Sequence, residues 1–486
     1  MLAAAAFARP HAVVIFYADD LGWGDTASYG GVEVPTPNLD ALAAEGVRFT
    51  DAHSATSVCS PSRYSLLTGR YAFRRPNNRI LDGDAKLILP VEGEGPLTLP
   101  SMMRKAGYRT AAIGKWHLGL GEGNAPTDWN RRISPGPNEV GFDYSYIMAA
   151  TADRVPCVFL RNGTVVGLEK DDPIEISYSR DPKPLWPGEV TALTDPGLLK
   201  AWGRSSDAQH DKTIIDGISR IGHMRGGHAA RWKDQEMADT LALEAERFLS
   251  ESEGRDVFIY FCTSDIHVPR DPHMRHRGRS GLGIRGDATV QMDDTLGKVR
   301  SSLKAHGYED ALFIFTSDNG PAIGDGYLDG AVEEYSRKGV NPAGPFSGGK
   351  YTVMEGGTRV PMIVSWPGHT PKGAVSCALL SQTDFARSIA AIVGADIPDG
   401  SMGDSQELSR SLLGFDPKGR DELISEPGWG AWRGFRSGSW KLVTDGTQAM
   451  LFNLECDPGE KNDVSKLETP RTEELKTRLK GLMGRP

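Results

Sequence analysis

Short apolar runs alternate along the chain with longer stretches in which apolar residues return every three or four positions. The runs are His11 to Ala18 (HAVVIFYA), Arg109 to Ile113, Val257 to Thr263 (VFIYFCT), Ala311 to Ser317 (ALFIFTS) and Pro361 to Val364. They lack the polar alternation of a half-exposed strand and read as strands covered on both faces. The helical stretches are Pro37 to Glu45, Thr98 to Ala106, Asp234 to Ser250, Ala288 to Ala305 and Asp384 to Val393. Pro37 marks a helix entry, with Thr36 as its N-cap. The alternation predicts an α/β fold: a large mixed, mostly parallel sheet sandwiched by helices. Val155 to Leu168 reads as a hairpin around Asn162-Gly163 and could be an insertion that shapes a pocket. From about Gly430 the pattern changes to short strands, Gly434 to Ser437, Trp440 to Val443 and Met450 to Leu454, followed by a polar helix, Pro470 to Met483. This predicts a smaller C-terminal antiparallel sheet plus helix. A Gly-, Ser-, Pro- and Asp-rich stretch from Gly394 to Arg420 marks the change. The division expected is a tail over 1–10, a large domain over 11–410 and a small α+β subdomain over 411–486.

The chain has 486 residues and a formal charge of −9. The length suits one large α/β domain with a smaller companion. The acidic balance argues against non-specific binding to nucleic acid or anionic membranes, though a local basic pocket could still take an anionic substrate. No run approaches the roughly 18 apolar residues of a membrane helix. The five cysteines, Cys59, Cys157, Cys262, Cys377 and Cys456, are widely spaced, with no CxxC. That argues against a disulfide framework or structural zinc, and all but Cys59 read as small buried hydrophobes. The first ten residues, MLAAAAFARP, end in a small-residue pattern like a signal cleavage site but lack a positive n-region, so they read as a truncated export signal or an added tail.

Polar residues stand at the ends of the apolar runs, where open α/β sheets bind ligands. The first run leads into Asp19-Asp20 and the run Ala311 to Ser317 into Asp318-Asn319. Adjacent carboxylates after a buried strand are costly unless a cation neutralises them. Three Asp and one Asn offer hard oxygen ligands, which suit Ca²⁺ or Mg²⁺ better than zinc. Each pair alone could instead cap the turn that follows. Cys59 precedes a helix start, where anions are favoured and a thiol's pKa falls, and Arg63 could grip an oxyanion there.

Cys59-Ser60-Pro61-Ser62-Arg63 followed by Leu67-Thr68-Gly69 resembles the signature of the type I sulfatases, the formylglycine-dependent members of the alkaline phosphatase superfamily. Gly107-Tyr108-Arg109-Thr110, continuing to Gly114-Lys115-Trp116-His117, resembles the second signature. Asp19-Asp20-Leu21-Gly22 and Thr316-Ser317-Asp318-Asn319-Gly320 match the family's metal segments. Gly348-Gly349-Lys350 with Glu355-Gly356-Gly357-Thr358-Arg359 matches a segment carrying a pocket lysine. Phe435-Arg436, Trp440-Lys441-Leu442, Leu451-Phe452-Asn453-Leu454 and Asp457-Pro458 resemble the small C-terminal domain. The motifs span nearly the whole chain in the family's order. One departure is Ile266, where the family often has proline or alanine before His267.

The resemblance implies sulfate ester hydrolysis with one Ca²⁺ held by Asp19, Asp20, Asp318, Asn319 and residue 59. It implies that a formylglycine-generating enzyme converts Cys59 to Cα-formylglycine, whose hydrated form attacks sulfur. Arg63 would hold residue 59, and Asp318 would double as a base. Lys115, His117, His267 and Lys350 would converge on the sulfate, with His267 or Lys350 protonating the leaving oxygen and His117 taking the proton that releases sulfate. The segment from Ser280 to Ala288, with Asp294 onwards, resembles bacterial sulfatases that act on host or algal glycans, and the chain as a whole resembles bacterial arylsulfatase and N-acetylgalactosamine-6-sulfatase-like glycan sulfatases. A sulfated carbohydrate of galactose or N-acetylgalactosamine type is therefore the expected substrate, and a periplasmic or secreted location is expected. Asp153-Arg154 could read a sugar hydroxyl or be an exposed ion pair. His53 reads as structural, and His210, His223 and His228 as a polar pocket rim. The run Arg270, His273, Arg275, His276, Arg277 and Arg279 reads as solvated surface able to guide a polyanion. The alternatives are a phosphonate monoester or phosphodiester hydrolase of the same superfamily, and a non-catalytic glycan-binding homologue. The second would require a missing nucleophile or ligand, and none is missing.

Overall fold

The structure, a computed structural model, describes residues 9–31, 34–76 and 78–484. The first eight residues of the expected N-terminal tail lie outside the described residues. Ten strands form the central sheet: β1 (Ala12–Ala18), β2 (Val47–Phe49), β3 (Arg109–Lys115), β4 (Tyr144–Met148), β5 (Phe159–Arg161), β6 (Thr164–Val165), β7 (Val257–Cys262), β8 (Leu312–Ser317), β9 (Met362–Ser365) and β10 (Ala374–Ser376). Their spatial order is β10-β2-β9-β8-β1-β7-β3-β4-β5-β6. The middle five, β8 to β4, run parallel, while β9 and β5 join antiparallel at either side. The middle of β1 is fully buried, and Phe16 stacks on Phe261 and Phe315 of its two neighbours at 5.2 and 5.9 Å. The continuous apolar runs follow from that two-sided burial.

Helices α1 (Pro37–Glu45), α2 (Cys59–Thr68), α3 (Leu99–Lys105), α4 (Met237–Ser250), α5 (Gly283–Ala305) and α6 (Phe385–Val393) cover the sheet in two groups. One group is α1, α4 and α5; the other is α2, α3 and α6. Thr36 does not cap α1 with its side chain. The Asp293 carboxylate of α5 does so, accepting from the Asn38 and Leu39 amides at 3.1 and 2.8 Å. Helix α5 starts at Gly283 rather than Ala288 because its polar first turns face buried partners. There Arg285 pairs with Asp25, and Asp287 accepts from the Gly278 and Ser280 amides.

The hairpin turns at Asn162 and Gly163, both at positive φ as a type I′ turn requires. It extends the edge of the central sheet rather than forming a separate insertion. Most of the basic run is not free solvated surface, although Arg279 is exposed. Arg270 is buried against Asp329, Arg275 grips Asp239 through two bonds, and Arg277 pairs with Asp271. Cys377 and Cys456 are exposed rather than buried, and all five cysteines are free.

The C-terminal sheet is β11 (Glu422–Ser425), β12 (Arg433–Ser437), β13 (Trp440–Thr444) and β14 (Ala449–Asn453), antiparallel in that order, with α7 (Thr469–Met483) packed on it. Ile424, Phe435, Leu442, Leu451, Leu475 and Leu479 form its core, into which Ala55 and Tyr71 of the large body also pack. A buried charge seam joins the two sheets. Arg436 donates to Asp51 at 2.9 Å, and Lys441 lies between Glu355 at 2.9 Å and Glu460 at 2.8 Å. His53, bonded to Asp51 at 2.9 Å, is part of this seam.

Candidate active site

Four parallel strands end at one buried pocket. β1 delivers Asp19 and Asp20, β8 delivers Asp318 and Asn319, β3 delivers Lys115 and then His117, and the segment after β7 delivers His267. Cys59 is the first residue of α2, and Arg63 stands one turn later on the same helix face. Lys350 arrives on the loop between β8 and β9. Asp20 and His117 hold φ of +58° and +56°, a left-handed conformation that non-glycine residues adopt at a cost and that aims both side chains here.

The contacts are close. Lys115 Nζ donates to Asp19 Oδ2 at 2.6 Å. Lys350 Nζ donates to Asp20 Oδ2 at 2.9 Å and to Asp325 Oδ2 at 2.9 Å. Asn319 Nδ2 donates to Asp20 Oδ1 at 2.7 Å. Arg63 donates to Asp318 Oδ2 through Nε and Nη2 at 3.1 and 2.8 Å, and through Nη1 to the Lys115 carbonyl at 3.0 Å. Ligand atoms of Asp19, Asp20, Cys59 and His267 lie within 4.8 Å of one another. Asp19 Oδ1 and Asn319 Oδ1 are buried with no hydrogen-bond donor. Buried oxygens of this kind are normally satisfied, and a hard cation would satisfy both. The residues present therefore fit a Ca²⁺-type ion.

Burial dominates the electrostatics. It pushes the Asp19 carboxyl up to about 8, with Asp318 and Asp20 adding to the rise against the pull of Lys115. For Asp20, Lys350 and Lys115 outweigh burial and the net shift is downward. Burial pushes the Cys59 thiol up to about 12 despite Lys115 and Lys350. Burial, with Lys115 and Arg154 nearby, holds His117 well below the usual imidazole range. Burial, with Lys350 and Lys115, does the same for His267. His267 Nδ1 donates to the Val268 carbonyl at 2.6 Å, which turns Nε2 toward Asp20, 3.9 Å away. His117 Nε2 donates to the Leu81 carbonyl at 2.7 Å, which leaves the buried Nδ1 with no partner.

Asp153 and Arg154 flank the pocket and are buried, not exposed. Arg154 Nη1 donates to both Asp153 oxygens at 3.1 and 3.0 Å. His210 is also no rim residue. It is buried, with Nε2 3.4 Å from Asp153 Oδ2. Asp325, which holds Lys350, was not anticipated. It sits in a glycine-rich loop after Asn319 and carries no local pattern of its own.

The sequence matches the Sulfatase family over residues 11–395. It is 40% identical to the N-acetylgalactosamine-6-O-sulfatase of Bacteroides thetaiotaomicron, covering 98% of this chain and 94% of that protein. It is 31% identical to human arylsulfatase A, covering 88% of this chain and 73% of that protein. A solved Bacteroides thetaiotaomicron structure, described under the metabolism of multiple glycosaminoglycans, superposes with a TM-score of 0.91 at 39% identity, covering 98% and 100% of the two chains. Among the described residues no helix is long and apolar enough to cross a membrane. With this match over most of its length, on the alkaline phosphatase-like architecture described above, the chain belongs to the sulfatase family and is a sulfuric ester hydrolase.

Proposed function

We propose that the chain removes a 6-O-sulfate from a galactose-type sugar, N-acetylgalactosamine first, in the pocket around Cys59. The observation that carries this reading is the oxygen-rich cluster at the strand ends, with two buried oxygens lacking donors and two lysines beside them. The 40% identical relative carries the sugar and the position. Ca²⁺ is the assigned ion, with Asp19, Asp20, Asp318, Asn319 and residue 59 as its ligands. When present, the ion supplies Lewis acidity toward a sulfate oxygen, and formylglycine at position 59 supplies the nucleophilic hydroxyl. An unconverted thiol, pushed up to about 12 by burial, is protonated at neutral pH and is a poor nucleophile, so the reading requires conversion of Cys59 by a formylglycine-generating enzyme.

The chain's own residues bind and move protons. Arg63 fixes Asp318 and the end of β3 together. Asp19, Asp20, Asp318 and Asp325 face Arg63, Lys115 and Lys350, so a divalent ion would turn a net negative charge of one into a net positive charge of one, attractive to a sulfate monoester. Lys115 and Lys350 are the groups assigned to the sulfate oxygens. Lys350 carries a proton and is assigned its donation to the leaving oxygen, while His267, held by Val268, orients that oxygen. His117 offers the lone pair of Nδ1 as the base. Asp153 and Arg154 are assigned to sugar hydroxyls. Export to the periplasm or the medium is part of the reading, because a polymeric sulfated glycan would meet the enzyme outside the cell.

The test is sulfate release by protein co-expressed with a formylglycine-generating enzyme. Substrates are the 6-sulfates of N-acetylgalactosamine and galactose, N-acetylgalactosamine 4-sulfate and a phosphonate monoester. Preference for the 6-sulfated N-acetylgalactosamine is expected. Faster turnover of the phosphonate, or no sulfate release from any sugar, would refute the reading.

A further inference from the structure

The connection between β11 and β12 leaves the C-terminal sheet and runs beside the segment that leads into the Cys59 helix. Glu426 bridges to Thr56, and its carbonyl accepts from the Ser57 amide at 2.9 Å. Gly428, at φ +83°, lies so close to Val58 that a Cβ there would stand 2.1 Å from Val58 Cγ2. Val58 is the residue before Cys59. The next residue in the connection is Trp429, whose ring centroid is 5.3 Å from that of Tyr351. Tyr351 follows Lys350, and its hydroxyl donates to Asp325, the carboxylate that also holds Lys350 Nζ. One side of Trp429 is thus braced by the lysine loop and its backbone is pinned beside the nucleophile's helix, yet 46% of the residue is exposed.

A lone exposed apolar residue needs no function. Trp429 differs because it is fixed in place between two elements of the pocket. Lys350 is 6% exposed, so exposure rises from the pocket floor to this rim. An aromatic face at such a rim suits the C–H-rich face of a pyranose, which stacks on it while the hydroxyls stay in water. We propose that Trp429, contributed by the C-terminal sheet and backed by Tyr351, is a stacking platform for the sugar ring next to the sulfated one. The site then reads an oligosaccharide rather than a single sulfated sugar. This rests on the sulfated-glycan reading above.

The experiment compares kcat/KM on a tetrasaccharide ending in a 6-sulfated N-acetylgalactosamine with kcat/KM on the sulfated monosaccharide. Trp429→Ala should lower the ratio of the two about tenfold, the upper range for a ring stacked on an aromatic face. Trp429→Phe should restore most of it. A ratio unmoved by Trp429→Ala, or equal losses on both substrates, would overturn the platform. Calorimetry on the Cys59→Ala background reads the same subsite without turnover. There, adding Trp429→Ala should weaken tetrasaccharide binding about tenfold, and unchanged affinity would overturn the platform. A binding contrast in a protein that releases no sulfate from any sugar would overturn the sulfatase reading and leave the platform standing.

Discussion

Replacing Glu426 by glutamine should stabilise the protein strongly at pH 8 and weakly at pH 5. Glu426 is fully buried where the C-terminal sheet meets the segment before Cys59. It accepts from the Phe73 amide at 2.9 Å and from Asn78, and its nearest cation, Arg433, is 3.9 Å away. Burial pushes its carboxyl up to about 7, against the pull of Arg433 and these hydrogen bonds. A folded-state value above the unfolded one means that the unfolded chain ionises first as pH rises. Stability is therefore lost from about pH 4.5 up to about 7 and stays low above that. The loss is about 1 kcal/mol at pH 5 and about 3 kcal/mol at pH 8. Glutamine keeps the shape and an oxygen for the Phe73 amide but carries no charge at either pH. Urea titrations of both proteins at pH 5 and pH 8 measure the difference, which should be about 2 kcal/mol larger at pH 8. An equal difference at the two pH values, or a variant less stable at pH 8, would refute the argument that burial governs this carboxyl.

Two further substitutions test the buried charges. Asp318→Asn removes the charge that holds Arg63 by two bonds. It should abolish both bound calcium, read by elemental analysis, and turnover; stoichiometric calcium in the variant would contradict the ligand assignment. Lys441→Met leaves Glu355 and Glu460 facing each other in the seam. It should cost about 3–5 kcal/mol, seen as faster hydrogen exchange in the C-terminal sheet, and unchanged exchange would show that the seam does not hold the sheets together.

The parallel centre of the fold was legible in the sequence because strands buried on both faces must be apolar throughout. The expected runs fall on four of the five parallel strands, β1, β3, β7 and β8, and on the antiparallel β9; the parallel β4 (Tyr144–Met148) was not among them. The residues expected at the pocket meet there because a parallel sheet gathers the ends of its strands, so a polar pair after each apolar run is already a positional statement. What the sequence did not reveal depends on partners far away in the chain. Arg270, Arg275 and Arg277 look solvated until Asp329, Asp239 and Asp271 are brought to them. Asp325 and His210 gain meaning only through Lys350 and Asp153. Strand β11 carries a single Leu-Ile pair between polar residues and reads as loop until β12 pairs with it.

The central claim is that residue 59 acts as a formylglycine. Peptide mass spectrometry across Cys59, on protein co-expressed with the converting enzyme, tests it most directly. Conversion replaces the thiol by an aldehyde and lowers the peptide mass by about 18 Da. The account predicts that shift, with sulfate release proportional to the converted fraction across preparations. Full sulfate release from protein whose Cys59 is entirely thiol would contradict it.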